Sequence, residues 1–293
     1  MKILDQYETL QTIYSEIVEG CSYCHDLKCY VKHFNDRDFA EIYRARDHYL
    51  LTEVGDIPTE AEKLKEVMEA GIWTEKDQDD LITLQWAVED NTKQIENIVS
   101  PEQREIIQKI VDEKQEELNE AEAKKLSYLH PNKDYYSRKY VSESIPYFAL
   151  FKDRNLTERF FLEEKYENLD EEEITEIAIK YTLSLKKFNS RNLRLLATFP
   201  FVLNQLSLCR KNALIFLNKP VVEFTNYQLD LFNRTMRNLN VLENAEGNPP
   251  DIDKATDEQE ILDWYDKAYS VWQGKNNKDK PSEIKKTTNY VER

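Results

Sequence analysis

The sequence predicts a mainly α protein: a multi-helix body with a long antiparallel helical hairpin and a small N-terminal mixed α/β segment. Three observations predict it. Glycine occurs only 5 times in 293 residues, whereas tight hairpins and phosphate-cradling loops draw on glycine for left-handed backbone. Apolar residues recur three and four positions apart over most of the chain, the spacing that places them on one helix face. Helix-start signals also recur, with Ser, Thr or Asp followed three residues later by an acid or an amide. Hydrophobic residues make up 40% and charged residues 33%. That is polar for the size, yet enough core for one large domain or two ordinary ones.

The elements follow in order. Ile3, Tyr7, Leu10, Ile13 and Ile17 share a helix face, and Gly20 ends the helix. A strand over Ile13 to Val18 is the alternative. Residues 27–34 alternate instead, with Leu27, Cys29, Val31 and His33 on one face and Lys28, Tyr30, Lys32 and Phe34 on the other. That pattern predicts a strand. Asp36 or Asp38 is expected to cap a helix carrying Phe39, Ile42, Tyr43, Tyr49 and Leu50, closed by Gly55. Pro58 opens a short helix with Gly71 just beyond its end, the usual asymmetry of those two residues.

Residues 74–126 carry the hairpin. Thr74 and Asp77 form a capping box, with Asp where Glu or Gln is commoner. Leu81, Val88 and Ile95 are seven apart, as are Leu84, Asn91 and Ile98, which makes a heptad-like stripe. Ser100, Pro101 and Gln103 restart a helix with Ile107, Val111, Leu118 and Ala121 on one side. So short a break folds the two helices back on each other. The apolar stripe is narrow, so the hairpin is expected to project or to lie against a partner. Leu81, Leu84, Val88, Ile95 and Ile98 are the expected partner-binding residues.

Residues 134–150 read as an aromatic-rich helix with Pro146 inside it. Asp170 caps DEEEITEIAIKYTLSLKKF, with acids in the first turn and lysines in the last, as the helix dipole favours. Residues 190–217 are the most apolar stretch and predict two short buried helices around Pro200, with Cys209 among them as a small hydrophobe. KPVVEF is expected to be an extended connector. Thr225 with Gln228, and Thr256 with Gln259, then cap two helices, the second burying Ile261 and Trp264. The expected organisation is a mixed segment at 1–36 and helices at 37–126 including the projecting hairpin at 74–126. A helical core body at 127–273 and a flexible basic tail at 274–293 follow.

The net charge is −16. Such a surface repels phosphate backbones and anionic lipids, so neither nucleic acid nor a membrane is the expected partner. No long uncharged apolar run predicts a transmembrane helix, and acids interrupt the N-terminus where a signal peptide would be apolar. Cysteines are therefore expected to be reduced, in a cytosolic protein. Three of the four cysteines and two of the four histidines fall in GCSYCHDLKCYVKHF, residues 20–34. Cys21, Cys24, Cys29 and His33 make a conceivable zinc set. On a strand, however, Cys29 and His33 lie roughly 13 Å apart at ~3.3 Å per residue, too far to share one ion, and no second Cys-x-x-Cys follows. No metal and no cofactor are expected. There is no glycine-rich phosphate loop, nucleophile elbow or HExxH. His48 and His130 stand isolated, and the acids at 163–164 and 170–173 are placed where helix starts want acids. No catalytic residue is assigned, and a small-molecule ligand is not expected.

Several stretches together carry a resemblance: YVKHF at 30–34, GDIPTEAEKL at 55–64 leading to GIWTEKD at 71–77, and the charged hairpin. FKDRNLTERFFLEEKYENLDEEEI at 151–174, FPFVLN at 199–204 and KPVVEFTNYQLDLFNRTMRNL at 219–239 continue it. In that order they resemble structural, tail and baseplate assembly proteins of large contractile-tailed phages. The cysteines lie outside the resemblance. It implies a non-enzymatic tail or baseplate assembly factor, or a minor structural component, whose partner is a phage structural or tail protein. The host cytoplasm or the virion would be its place. Two other readings stand beside it: an acidic adaptor that binds a host regulatory protein, and an enzyme with an unrecognised helical site.

Overall fold

The computed structural model describes residues 7–97, 101–245, 247–250 and 258–278. The chain is mainly α. In order it runs α1 (Tyr7–Glu19), β1 (Cys21–Cys24), β2 (Cys29–Lys32), α2 (Asp36–Tyr49), α3 (Glu60–Glu69), α4 (Glu75–Asn97) and α5 (Pro101–Leu129). It continues with α6 (Lys133–Ala149), β3 (Leu150–Phe151), α7 (Glu163–Glu167), α8 (Glu171–Leu185), α9 (Ser190–Leu196) and α10 (Pro200–Leu208). α11 (Ala213–Leu217), α12 (Asn226–Asn244) and α13 (Glu258–Lys278) complete it. α13 continues to Lys278, so the tail expected from residue 274 begins as helix; residues 279–293 lie outside the described part.

Contacts divide the chain into two units, Met1–Ile42 with Glu143–Arg293, and Tyr43–Ser142. The four successive segments expected from the sequence are thus regrouped. The N-terminal segment belongs with the C-terminal half because α1 has its apolar face covered by helices encoded far downstream.

In the first unit, Leu10, Ile13 and Ile17 of α1 pack into one core with Leu195, Leu196, Phe199, Val202, Leu206, Leu231 and Ile261. α1 is therefore a helix through Ile13 to Val18, and the strand alternative falls. Gly20 ends it at φ +79°, a region that costs other residues ~1–2 kcal/mol. β1 and β2 pair antiparallel, and β2 pairs antiparallel with β3. Cys29, Val31 and His33 are buried, as the alternation predicts. The cap of α2 is Asn35, whose side chain accepts from the N–H groups of Arg37 and Asp38 at 2.9 and 3.1 Å. Asp38 reciprocates by accepting from the Asn35 N–H at 3.0 Å.

Gln228 joins two helix ends. It is fully buried, and its N–H donates to the Thr225 hydroxyl while its Oε1 accepts from the Thr225 N–H. That is the box expected at the start of α12. Its amide nitrogen also donates to the Ile17 and Val18 carbonyls, at 2.8 and 2.9 Å, so one side chain closes the N-terminus of α12 and the C-terminus of α1. KPVVEF differs from expectation: Val221–Glu223 is a turn of 3₁₀ helix, closed by the Glu223 N–H donating to the Pro220 carbonyl and the Phe224 N–H to the Val221 carbonyl.

The second unit is built on the hairpin. α4 and α5 pack antiparallel, with α3 against them, around Val67, Trp73, Leu81, Leu118 and Leu129. The box at Thr74 and Asp77 is present. The short helix begins one residue after Pro58's successor: Thr59 caps α3 with Glu62 as box partner. Asp134 of α6 reaches the same helix start and accepts from the Glu60 N–H at 2.6 Å. The cap expected at Ser100 and the one at Thr256 lie outside the described residues.

Candidate functional site

The stripe expected as a contact surface is placed inside the second unit. Leu81 is buried, and Leu84 and Val88 pack against the Val67, Trp73 and Leu118 cluster. Ile95 is half-buried, and Ile98 lies outside the described residues. Leu81, Leu84 and Val88 of the stripe meet α5 and α3, since a seven-residue apolar repeat is satisfied by whichever helix lies alongside it. On other faces of the hairpin Ile82, Trp86, Ile106 and Leu126 are exposed.

A different exposed apolar surface lies in the first unit. Residues 208–222 carry Leu208, Leu214, Ile215, Val221 and Val222 in contact with solvent, Leu208 at 85% and Ile215 at 59% exposure. Their backbone is held by local chemistry. α10 ends with Arg210 and Lys211 both left-handed, at φ 52° and 57°. The Lys211 N–H donates to the Leu206 carbonyl and the Arg210 N–H to the Ser207 carbonyl, a helix stop that normally uses glycine. Lys211 Nζ then donates to Asn240 Oδ1 and Glu243 Oε2, at 2.8 and 2.5 Å, which ties the turn to α12. Asn212 caps α11 through its side chain. Phe216 points inward and is buried, so its neighbours Leu214 and Ile215 are left outward. Left-handed non-glycine residues store strain that ordinary loops avoid; here they present a short aliphatic ridge.

The ridge sits in a stretch of unusual charge. Between Glu176 and Glu223 there is no acidic residue, while Lys180, Lys186, Lys187, Arg191, Arg194, Arg210, Lys211 and Lys219 are basic. Acids elsewhere come to it: Glu16 to Lys187, Glu258 to Arg191, Asp266 to Arg194 and Glu243 to Lys211. Arg210, on the ridge itself, is exposed. Lys219 is partly desolvated, which lowers its pKa. The charge break was visible in the sequence; the exposure of the ridge was not, since apolar content alone read as core.

The thiols of the sulfur-rich segment are interior, while His25, Asp26 and Lys28 between them are exposed. Cys21, Cys24 and Cys29 are buried free thiols. Cys21 Sγ faces the Arg154 carbonyl and Cys24 Sγ the Lys180 carbonyl, which separates them. Burial pushes the Cys29 thiol up to about 12, with Cys24 beside it adding to the shift, and burial raises Cys21 as well. Protonated thiols are poor nucleophiles and poor metal ligands. Among the described residues no three His, Cys, Asp or Glu side chains converge as a metal-ligand set.

His33 meets edge-on the rings of Phe188 and Tyr227, which stack on each other, with Nε2 3.2 Å from the Ser22 hydroxyl. This is the spacing of a nucleophile and its base, but both side chains are 2% exposed. His33 Nδ1 has no partner among the described residues, so no third group orients the ring. Burial, reinforced by the charges of Lys187 and Lys219, pushes the imidazole down to about 3. The sign follows directly. Below about 6.5 the unfolded chain takes up a proton that the folded chain refuses until about 3. Stability conferred by the neutral ring is full above about 6.5 and is lost as pH falls below it. Taking the protein from pH 7 to pH 5 will cost about 2 kcal/mol through this group, and His33→Gln will flatten that limb. Urea midpoints at both pH values check it; an unchanged pH dependence in the variant refutes it.

No protein-family model, no curated protein and no solved structure matches this chain.

Proposed function

We propose that the chain is a non-enzymatic virion-assembly protein of a contractile-tailed phage, a tail or baseplate assembly factor or minor structural component, working through helix-mediated protein contacts. The stretches of resemblance support the phage setting. The observation that supports the mode of action is the aliphatic ridge at 208–222 inside an acid-free stretch. Its occupant is an acidic amphipathic helix of a partner protein. The aliphatic side chains receive that helix's apolar face, and Arg210 and Lys219 attract its carboxylates, while Glu243 is already engaged by Lys211 and Glu223 is the acid that borders the ridge. The partner is a phage structural or tail protein, met in the host cytoplasm or in the virion.

The test uses the full chain, tagged and recovered from infected cells at moderate salt. Tail or baseplate components will accompany it in fixed ratio. Changing Leu208 and Ile215 together to aspartate will reduce their recovery roughly tenfold or more, as loss of buried interface anchors does. Both side chains are exposed, so the fold will be unaffected. Recovery of a host regulator instead, or undiminished recovery by the variant, overturns the reading.

A further inference from the structure

Three arginines converge where α9, α12 and α13 meet. Arg194, Arg234 and Arg237 line a cleft of about 20 Å³ together with Thr198, Asn238, Leu262, Tyr265 and Asp266. That is room for one water-sized group. Asp266 is shared: its Oδ2 accepts from Arg194 at 2.5 Å and its Oδ1 from Arg237 at 2.6 Å. Arg234 donates from Nε to Asp230 at 2.8 Å and from Nη2 to the Ser190 hydroxyl at 3.3 Å. Three guanidinium groups thus face two carboxylates, one inside the cleft and one at its edge.

The donors exceed the acceptors. Each guanidinium carries five N–H groups, and those bonds occupy four of the fifteen. Arg237 Nε is buried and has no acceptor among the described residues. A buried N–H left without an acceptor costs ordinary protein interiors enough that nearly all are paired. The Arg237 guanidinium is also fixed in place, lying 4.1 Å from the centre of the Tyr269 ring. About a third of the Arg194 and Arg237 side chains remains in contact with solvent, so a ligand can reach them from outside. Asn238 and Thr198, the buried polar walls, donate to the carbonyls of Ala197 and Leu195. What the cleft lacks is an acceptor for the Arg237 Nε–H.

We infer that this cleft is a binding site for a phosphate group, which would place one oxygen in it and meet the outward N–H groups of the arginines with the others. Planar guanidinium forks suit tetrahedral oxyanions, and the surplus of positive over negative groups supplies the attraction. The inference rests on the cleft alone and is independent of the assembly reading. Its ligand is either free phosphate or a phosphorylated side chain of another protein.

The experiment titrates the full chain with inorganic phosphate, and separately with phosphoserine, by calorimetry at constant ionic strength against a chloride control. Saturable binding of one equivalent is expected. Arg234→Gln, whose partners are a residue on its own helix and Ser190, will weaken it roughly tenfold, the loss of one charge-assisted contact. Asp266→Asn, which removes the competing carboxylate, will tighten it. Tighter binding of phosphoserine than of inorganic phosphate assigns the site to a phosphorylated partner, and the reverse assigns it to the free ion. No saturable heat with either probe overturns the inference, as does binding that Arg234→Gln leaves unchanged in a variant whose circular dichroism is native.

Discussion

Leu81→Asp will unfold the helical hairpin. Leu81 is 4% exposed and sits with Val67, Trp73, Leu118 and Leu129 in the core of the second unit. Truncation to alanine alone costs about 2–5 kcal/mol at such sites. Aspartate adds the cost of burying a carboxylate with no partner, which the small core that α3, α4 and α5 share has no means to offset. Surface pairs along α4 and α5, such as Glu89 with Lys93 and Lys114 with Glu117, contribute only about 0.3–0.5 kcal/mol each. Hydrogen exchange should therefore show amides from 60 to 129 losing protection in Leu81→Asp. Leu81→Ala should lower the stability of the same region by about 2–5 kcal/mol. Protection that survives the aspartate would mean that the stripe faces outward after all, and would return Leu81, Leu84, Val88 and Ile95 to the role of a partner surface.

Gln228→Leu will cost about 3–5 kcal/mol, more than its size alone predicts. Leucine fills much of the same space, so cavity formation is a minor effect. The loss comes from the Val18 carbonyl and the Thr225 N–H, each left without the partner it has now; the Ile17 carbonyl loses one donor but keeps the Gly20 N–H. An unsatisfied buried polar group costs about 1–3 kcal/mol. Gln228→Glu separates the parts: it keeps the bond from the Thr225 N–H but removes the donor to α1. Denaturant titrations of the two variants will rank leucine as the more damaging at neutral pH if the burial of the glutamate is relieved by local opening, and glutamate as the more damaging if it is not. A cost under about 1 kcal/mol for leucine would show that the α1 carbonyls find water instead.

What was legible in the sequence was mostly local. Thr74 with Asp77 and Thr225 with Gln228 are capping boxes four residues long, like the one that Asp170, read as a cap, makes with Glu173, and an interaction within four residues leaves its mark in those four. The alternation through Cys29, Val31 and His33 likewise announced the buried face of β2. The misses have a common cause. Asp134 reaches α3 from 74 residues away and Gln228 reaches α1 from 211, and no local pattern encodes such partners. Periodicity identified the apolar face of α4 but could not say what covers it. In residues 190–217 the reverse happened: apolar content predicted burial throughout, yet Leu208, Leu214 and Ile215 are turned outward by the stop at Arg210 and the inward Phe216. The arginine cleft draws from α9, α12 and α13, so it has no sequence signature at all.

The reach of Gln228 sets a schedule for the nascent chain. The amide that closes α1 is added 211 residues after the carbonyl it binds. At ~5–20 residues per second, roughly 10–40 s of translation separate the two. Through most of that interval the apolar side of α1, with Leu10, Ile13 and Ile17, lacks its downstream cover: α9 and α10 are made near its end, α12 only as it closes and α13 after it. The hairpin between them, complete within residues 43–142, is synthesised entirely inside this window and carries its own core. The ribosome thus delivers the inserted unit ready to fold while the first helix waits. A cell making this protein must shield that helix, by chaperone or by the ribosome surface, for longer than any other part of the chain.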